Sequence, residues 1–235
     1  MITVCLTTYN SHRFLHQQIQ SILPQLSTED EILISDDGST DDTLAIIQGF
    51  ESPLIHVIHN EGEHGYTPNF ENALRMAKGD IIFLADHDDI WMPNKVERCL
   101  ALLEDADFVV HDATIIDEWG NLKGNSFYFL RHPRRTLLGN IVKIGFLGCC
   151  MAFRRNLLEK ALPFPSNHTL CTHDNWLTLI GMAYFRCKVS DECLVAYRRH
   201  AANVSSGEQN THRAIGFRLK YRFYLLVNLI MRWSR

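Results

Sequence analysis

The first 112 residues repeat one pattern: a short apolar run, a polar or acidic stop, then apolar residues at helical spacing. Ile2–Thr8 is such a run. After Asn10-Ser11, a predicted N-cap, Phe14, Ile19, Ile22 and Leu23 recur along one helix face. Residues 32–35 form a second run ending at Asp36-Asp37-Gly38-Ser39, and a helix from Asp41-Asp42 carries Leu44, Ile47 and Phe50. Residues 54–58 predict a third strand and about 69–77 a helix. Residues 81–85 predict a fourth strand, apolar throughout, as a parallel strand covered on both faces must be. Pro93 suits the first position of the next helix, and residues 108–111 predict a fifth strand. Strands separated by single helices make βαβ units and hence a parallel sheet. The expected fold is therefore α/β, with ligands beyond the carboxyl ends of the strands.

The second half is less regular. Residues 114–117 and a turn between Gly120 and Gly124 predict an antiparallel extension; 145–153 predict a strand, 174–184 a helix and 189–198 a mixed strand. No repeat, low-complexity tract or Ser/Pro-rich linker separates the halves, so residues 1–212 read as one domain with halves 1–112 and 113–212. With 46% hydrophobic and 21% charged residues in a chain of 235, collagen, coiled coil and wholesale disorder are excluded. The seven cysteines contain no C-x-x-C pair, which removes the usual zinc and redox spacings and leaves reduced thiols, several of them in the core. The N-terminus has no basic segment followed by an apolar stretch of signal-peptide length, so a cytoplasmic location is expected.

The acidic residues collect at two predicted strand ends: Asp36 and Asp37 after the second, and Asp86, Asp88 and Asp89 after the fourth. Asp41 and Asp42 read as helix-capping residues. Three carboxylates within four residues repel one another unless a cation or donors compensate. Hard oxygen ligands suit Mg²⁺ or Mn²⁺, which bind through few carboxylates together with substrate phosphates. His173 reads as hydrogen-bonded scaffolding, and Gly148-Cys149-Cys150 as close backbone packing. Trp91 and Trp176 suit either the core or an aromatic face for a sugar.

Residues 69–93, which contain Lys78-Gly-Asp80 and Asp86-His-Asp-Asp89, closely resemble family 2 glycosyltransferases of the GT-A fold. Thr7-Thr-Tyr-Asn10, Asp36-Asp-Gly-Ser39, His173-Asp-Asn-Trp176 and Tyr197-Arg-Arg-His-Ala-Ala-Asn-Val-Ser205 occur in that family's order. The resemblance covers about residues 1–205 and is nearest the rhamnosyltransferase-like branch of surface polysaccharide synthesis. One departure is His87, where relatives often carry Gln.

The resemblance implies a Rossmann-like, mostly parallel central sheet with helices on both faces and a small antiparallel extension. It implies an inverting, divalent-metal-dependent enzyme that moves a sugar from a nucleotide-diphosphate donor to a saccharide or lipid-linked saccharide acceptor. Thr7, Tyr9 and Asp36 or Asp37 would then line the nucleotide pocket, and Asn69 would hold the loop beside it. Asp86 would contact the ribose or a metal-bound water. Asp88 would ligate Mn²⁺ or Mg²⁺, with His200 reaching back to the metal or diphosphate. Asp174 would be the acceptor-side general base, at a helix start whose dipole favours a negative charge. Two other classes stay open. A nucleotidyltransferase lacks support because no Gly-rich, basic triphosphate loop follows the first strand. A catalytically inactive sugar-nucleotide or glycan-binding module differs from the enzyme only in activity.

The net charge of −4 conceals a division. Residues 1–212 hold 17 Lys and Arg against all 27 acids, whereas residues 213–235 hold 6 basic residues and no acid. The acidic body argues against a nucleic-acid partner. In the tail, the apolar run 223–231 is interrupted by Asn228 and is shorter than the roughly twenty residues a membrane span needs. A basic amphipathic helix over 213–235 suits peripheral contact at the cytoplasmic face of a membrane; packing on the domain is the plain alternative.

Overall fold

The computed structural model describes residues 1–200 and 215–233. The chain begins β1 (Ile2–Thr8), α1 (Leu15–Ile22), β2 (Glu31–Asp36), α2 (Thr43–Gln48), β3 (Ile55–His59), α3 (Tyr66–Met76) and β4 (Ile81–Asp86). After the two-residue β5 (Ile90–Trp91) come α4 (Lys95–Leu103), β6 (Phe108–Ile116), α5 (Phe127–Arg131) and α6 (Leu137–Val142). Then follow β7 (Met151–Arg154), α7 (Leu157–Ala161), α8 (His173–Tyr184), β8 (Cys187–Arg198) and α9 (Ile215–Met231).

The strands form one sheet in the order β3-β2-β1-β4-β7-β6-β8-β5. The pairs β1–β2, β1–β4, β2–β3 and β6–β8 are parallel. β7 is antiparallel to both neighbours, and β5 to β8. Every residue of β1 and β2 is buried. Because successive side chains point to opposite faces, the sheet is covered on both. Its amino edge is pinned by polar bonds: Asp30 accepts from the Ile2 N–H at 2.7 Å, and Thr3 Oγ1 donates to Glu31 at 2.6 Å while accepting from Gly79 N–H at 2.7 Å. A Cβ on Gly79 would lie 2.5 Å from Thr3 N, so only glycine lets this turn approach β1.

The structure differs from the sequence expectations in five places. The N-cap of α1 is Phe14 and not Asn10-Ser11, since Ser11 is held in the preceding turn, its Oγ accepting from Tyr9 N–H at 3.1 Å and its N–H donating to Thr43 Oγ1 at 2.7 Å. The pieces expected at 108–111 and 114–117 are one strand, β6, which runs across residue 112 with a shift of register beside β8. Between them, Asp112 Oδ1 accepts from Ala113 N–H at 2.7 Å and Tyr128 N–H at 2.8 Å, so the buried carboxylate is satisfied in place. The strand expected at 145–153 is confined to β7, with a 3₁₀ turn at Gly148–Cys150 before it. A Cβ on Gly145 would lie 2.8 Å from Pro133 Cβ, and one on Gly148 2.6 Å from His173 Nε2; these close approaches bend the segment out of the sheet. Pro93 precedes the N-cap Asn94 and lies outside α4. β5, α5, α6 and α7 had no expectation, being too short to show a period.

All seven cysteines are free thiols. The expected tail helix is described as α9 from residue 215; residues 213–214 and 234–235, and the motif residues 201–205, lie outside the described residues. α9 packs one face on the domain through Leu225 and Leu229. Tyr224 Oη accepts from Asn167 N–H at 2.9 Å, Tyr184 Oη donates to the Leu229 carbonyl, and the Arg232 guanidinium lies 5.4 Å from the Trp176 ring centroid. Among the described residues no helix is long and apolar enough to cross a membrane.

Candidate active site

Parallel register aligns the carboxyl ends of β1, β2 and β4: Thr7 pairs with Asp86, and Thr8 with Asp36. Asp36 is buried, and both of its oxygens are engaged. Oδ1 accepts from Thr8 Oγ1 at 2.8 Å and Ser39 Oγ at 2.6 Å; Oδ2 accepts from Ser39 N–H at 2.8 Å and Gly38 N–H at 3.1 Å. The Asp36-Asp-Gly-Ser39 turn is thus built by its own first carboxylate, with Gly38 at φ 84°. Asp37 likewise binds inward, to Asn60 Nδ2 at 2.6 Å and Gly65 N–H at 2.8 Å, and so fixes the loop before α3. Asn69 on α3 donates to the Ser35 carbonyl at 2.9 Å and the Thr8 carbonyl at 3.3 Å, bracing both strand ends. Thr7 is buried, whereas Tyr9 stands 58% exposed at the rim, with its ring open to a ligand.

The acidic turn follows β4. Gln18 Nε2 donates to the Asp86 carbonyl at 2.8 Å, and Arg198 Nε donates to the Asp88 carbonyl at 2.8 Å. Arg198 also donates its N–H to Asp89 Oδ1 at 3.0 Å. Asp88 Oδ2 lies 2.9 Å from His200 Nε2, 112 residues along the chain. The neighbouring acids are driven apart. Burial, then the charges of Asp88 and Asp174, push Asp86 up to about 7. Burial and the charges of Asp88 and Asp86 raise Asp89 well above the usual carboxylate range. Burial also works to raise Asp88, but the His200 hydrogen bond and the His87 and His200 imidazoles outweigh it and hold it low.

These residues fit a divalent cation. Asp89 Oδ2 is buried with no hydrogen-bond partner among the described residues. Asp86, Asp89 and the Cys149 thiol offer ligand atoms within 4.8 Å of one another. Asp88 Oδ2 and His200 Nε2, hydrogen-bonded at 2.9 Å, are a carboxylate and an imidazole close enough that both could turn to one ion. Behind the turn, Lys95 is fully buried, donates to the Cys149 carbonyl at 2.7 Å and lies 4.0 Å over the Trp91 ring. Burial lowers its pKa.

The opposite wall is the first turn of α8. Asp174 accepts from Thr172 Oγ1 and, at 2.8 Å, from Asn175 N–H, which fixes its carboxylate. His173 stacks on Phe70, centroids 4.1 Å apart, and burial lowers its pKa, so it is scaffolding. Trp176 is core, its Nε1 donating to the Ala161 carbonyl at 2.7 Å, and Trp91 is buried too. A Cβ on Gly148 would lie 3.7 Å from Asp174 Cβ, and the next residue, Cys149, reaches Asp86 and Asp89. One dipeptide therefore spans from the acidic turn to Asp174, close enough for the Asp174 charge to act on Asp86.

Sequence reasoning did not assign Asp89, Lys95, Arg198 or Gln18. Arg198 stood inside the Tyr197-Arg-Arg-His motif, and Asp89 inside the acidic run; their partners, far apart in sequence, were the missing signal.

Residues 3–162 match the family described as glycosyl transferase family 2. The chain belongs to this family. An uncharacterized glycosyltransferase of Nostoc sp., alr2836, is 30% identical over 86% of the chain and 66% of its own length. WfgD of Escherichia coli, named as a UDP-Glc:alpha-D-GlcNAc-diphosphoundecaprenol beta-1,3-glucosyltransferase, is 26% identical over 72% of the chain and 65% of its own length. Among solved structures, S. aureus TarS 1-349 in complex with UDP superposes with a TM-score of 0.70 at 19% identity, over 97% of this chain and 64% of that one. The last likeness bears on the fold alone: the GT-A arrangement of a mostly parallel sheet with an antiparallel insertion. The chain thus spans about two thirds of the length of these relatives.

Proposed function

We propose that the protein is an inverting, divalent-metal-dependent glycosyltransferase that moves a hexose from a nucleotide diphosphate to a saccharide acceptor for a cell-surface glycan. The observation that carries this reading is the proximity of Asp174 to the Asp86–Asp89 turn, bridged by Gly148-Cys149. UDP-glucose is the first donor to try, because it appears in WfgD's name. The rhamnosyltransferase-like reading rests on motif resemblance, and a dTDP-rhamnose arm tests it. The diphosphoundecaprenol acceptor in the same name supports a lipid-linked saccharide as the acceptor class.

Thr7, Tyr9 and the loop braced by Asp36, Asp37 and Asn69 hold the nucleotide, and Asp86 faces its ribose. Asp36 and Asp37 spend their oxygens on the loop, so they position this pocket more than they touch the base. Asp88 and His200 hold Mn²⁺ or Mg²⁺, which supplies charge neutralisation for the departing diphosphate. Asp174 accepts the proton of the attacking acceptor hydroxyl. The new glycosidic bond forms as the bond to the phosphate oxygen breaks, so the anomeric centre inverts without a covalent nucleophile.

The experiment pairs two variants. Asp88→Ala is expected to abolish Mn²⁺-dependent binding of UDP-glucose, whereas Asp174→Asn keeps donor binding and loses transfer. Full turnover by Asp174→Asn would overturn the base assignment.

A further inference from the structure

We infer that α9 and α6 together form a docking surface for an anionic lipid bilayer, lying flat on it. The inward face of α9 is spent on the domain through Leu225 and Leu229. A second apolar face points away: Leu219 (60% exposed), Phe223 (70%), Leu226 (42%) and Ile230 (62%), followed by Trp233 (79%) just past the helix. Spacings of four, three, four and three residues set these side chains on one stripe.

A second helix with exposed apolar residues lies alongside. Arg222 donates to the Val142 carbonyl at 3.2 Å, bringing α6 alongside, and α6 exposes Leu138 (74%) and Val142. Water is a poor solvent for so many exposed apolar side chains on two adjacent helices.

Charge selects the occupant. Arg218 and Lys220 are both exposed and flank Leu219, about 100° to either side of the stripe. Residues 213–235 contain no acid. Apolar side chains with a cation on either side and a tryptophan at the end match the acyl boundary, the anionic headgroups and the interfacial belt of a bilayer in turn. The body, by contrast, is acidic, so an anionic surface attracts the tail and repels the rest, which fixes one orientation.

That orientation suits the cleft. Asn175 Nδ2 donates to Tyr221 Oη of α9 at 3.3 Å, and Asn175 adjoins Asp174. The bilayer would lie beside the acceptor wall; this consequence rests on the proposed function, whereas the docking surface stands without it.

The test uses the full chain and sedimentation with vesicles of phosphatidylcholine alone or mixed equally with phosphatidylglycerol. The full chain is expected to sediment with the mixed vesicles and remain in solution with the neutral ones. Phe223→Asp combined with Ile230→Asp is expected to weaken vesicle binding at least tenfold, and Arg218→Gln or Lys220→Gln about fivefold each. Met76→Asp, an exposed apolar site on α3, should change nothing. UDP-glucose binding, read by thermal shift, should survive in every variant, so failure of the surface and failure of the donor reading give different results. The inference is overturned if the full chain ignores anionic vesicles, if the double aspartate variant binds them as before, or if light scattering shows a dimer that the aspartates dissociate.

Discussion

Arg198 and Asp89 are joined by a backbone bond, Arg198 N–H to Asp89 Oδ1 at 3.0 Å, that ties the end of β8 to the acidic turn after β4. The Arg198 side chain adds bonds to the Asp88 carbonyl at 2.8 Å, Gln17 Oε1 at 2.8 Å and the Glu118 carbonyl at 3.1 Å. Arg198 is thus the bolt that holds the acidic turn in place. Lysine keeps the charge but cannot reach these acceptors with one ammonium. Arg198→Lys is expected to cost about 2–4 kcal/mol in urea unfolding and to weaken Mn²⁺-dependent donor binding; unchanged values for both would contradict this role.

Metal binding by Asp88 and His200, as proposed, makes a linkage prediction. With Mn²⁺ at a hundredfold its dissociation constant, native protein should gain about 2.7 kcal/mol, visible as a higher melting temperature that EDTA reverses. Asp88→Asn should remove the shift. Asp42→Asn, at an exposed position before α2, should keep it.

Gly148 separates positioning from donor binding. A Cβ there would press on His173 Nε2 at 2.6 Å, and His173 leads directly into Asp174. Gly148→Ala is expected to lower kcat about tenfold or more by displacing the base, with the donor dissociation constant unchanged. A fall in donor affinity alone would argue against this path.

Gly181 tests packing away from the cleft. An added methyl would lie 2.5 Å from Phe108 Cγ, between α8 and β6. Alanine's better helix propensity offsets about 1 kcal/mol, against an overpacking cost of about 1–3 kcal/mol or more for so short a contact. Gly181→Ala should therefore lower the denaturation midpoint, and a rise would show that the interface yields freely.

Acid stability should fall through Asp107. Hydrogen bonds from Arg186, with Nε at 3.1 Å, hold its carboxyl below the usual carboxylate range. A depressed folded pKa gives stability that is present above about pH 4 and is lost as pH falls through the lower folded value. Asp107→Asn should flatten the acid limb of a melting-temperature profile between about pH 4 and pH 2, with an effect at pH 7 of at most about 1 kcal/mol for so exposed a pair.

The βαβ half was legible because each strand and helix carries its own period and stop: β1, β2 and β4 match their expected spans to within a residue or two. The region 113–172 was not, since α5, α6 and α7 are five or six residues long and β7 only four. Their conformations follow from contacts such as Pro133 against Gly145, not from local pattern. The site shows the same division. Acids after β2 and β4 could be read as a functional edge, yet Asp36 and Asp37 look alike in sequence to Asp86 and Asp88. Only their partners separate them, the first pair satisfied by Ser39, Asn60 and Gly65, the second crowded into mutual repulsion.

By itself, then, the sequence determined the parallel half-sheet, its ligand edge and the presence of a basic, apolar tail, because periodicity and charge are local properties. Tertiary structure decided which carboxylates stay unsatisfied, that His200 and Arg198 come back to the acidic turn, and that α9 uses one apolar face on the domain while presenting another. Those outcomes depend on distances between residues from about twenty to more than a hundred positions apart, and a linear pattern carries no record of them.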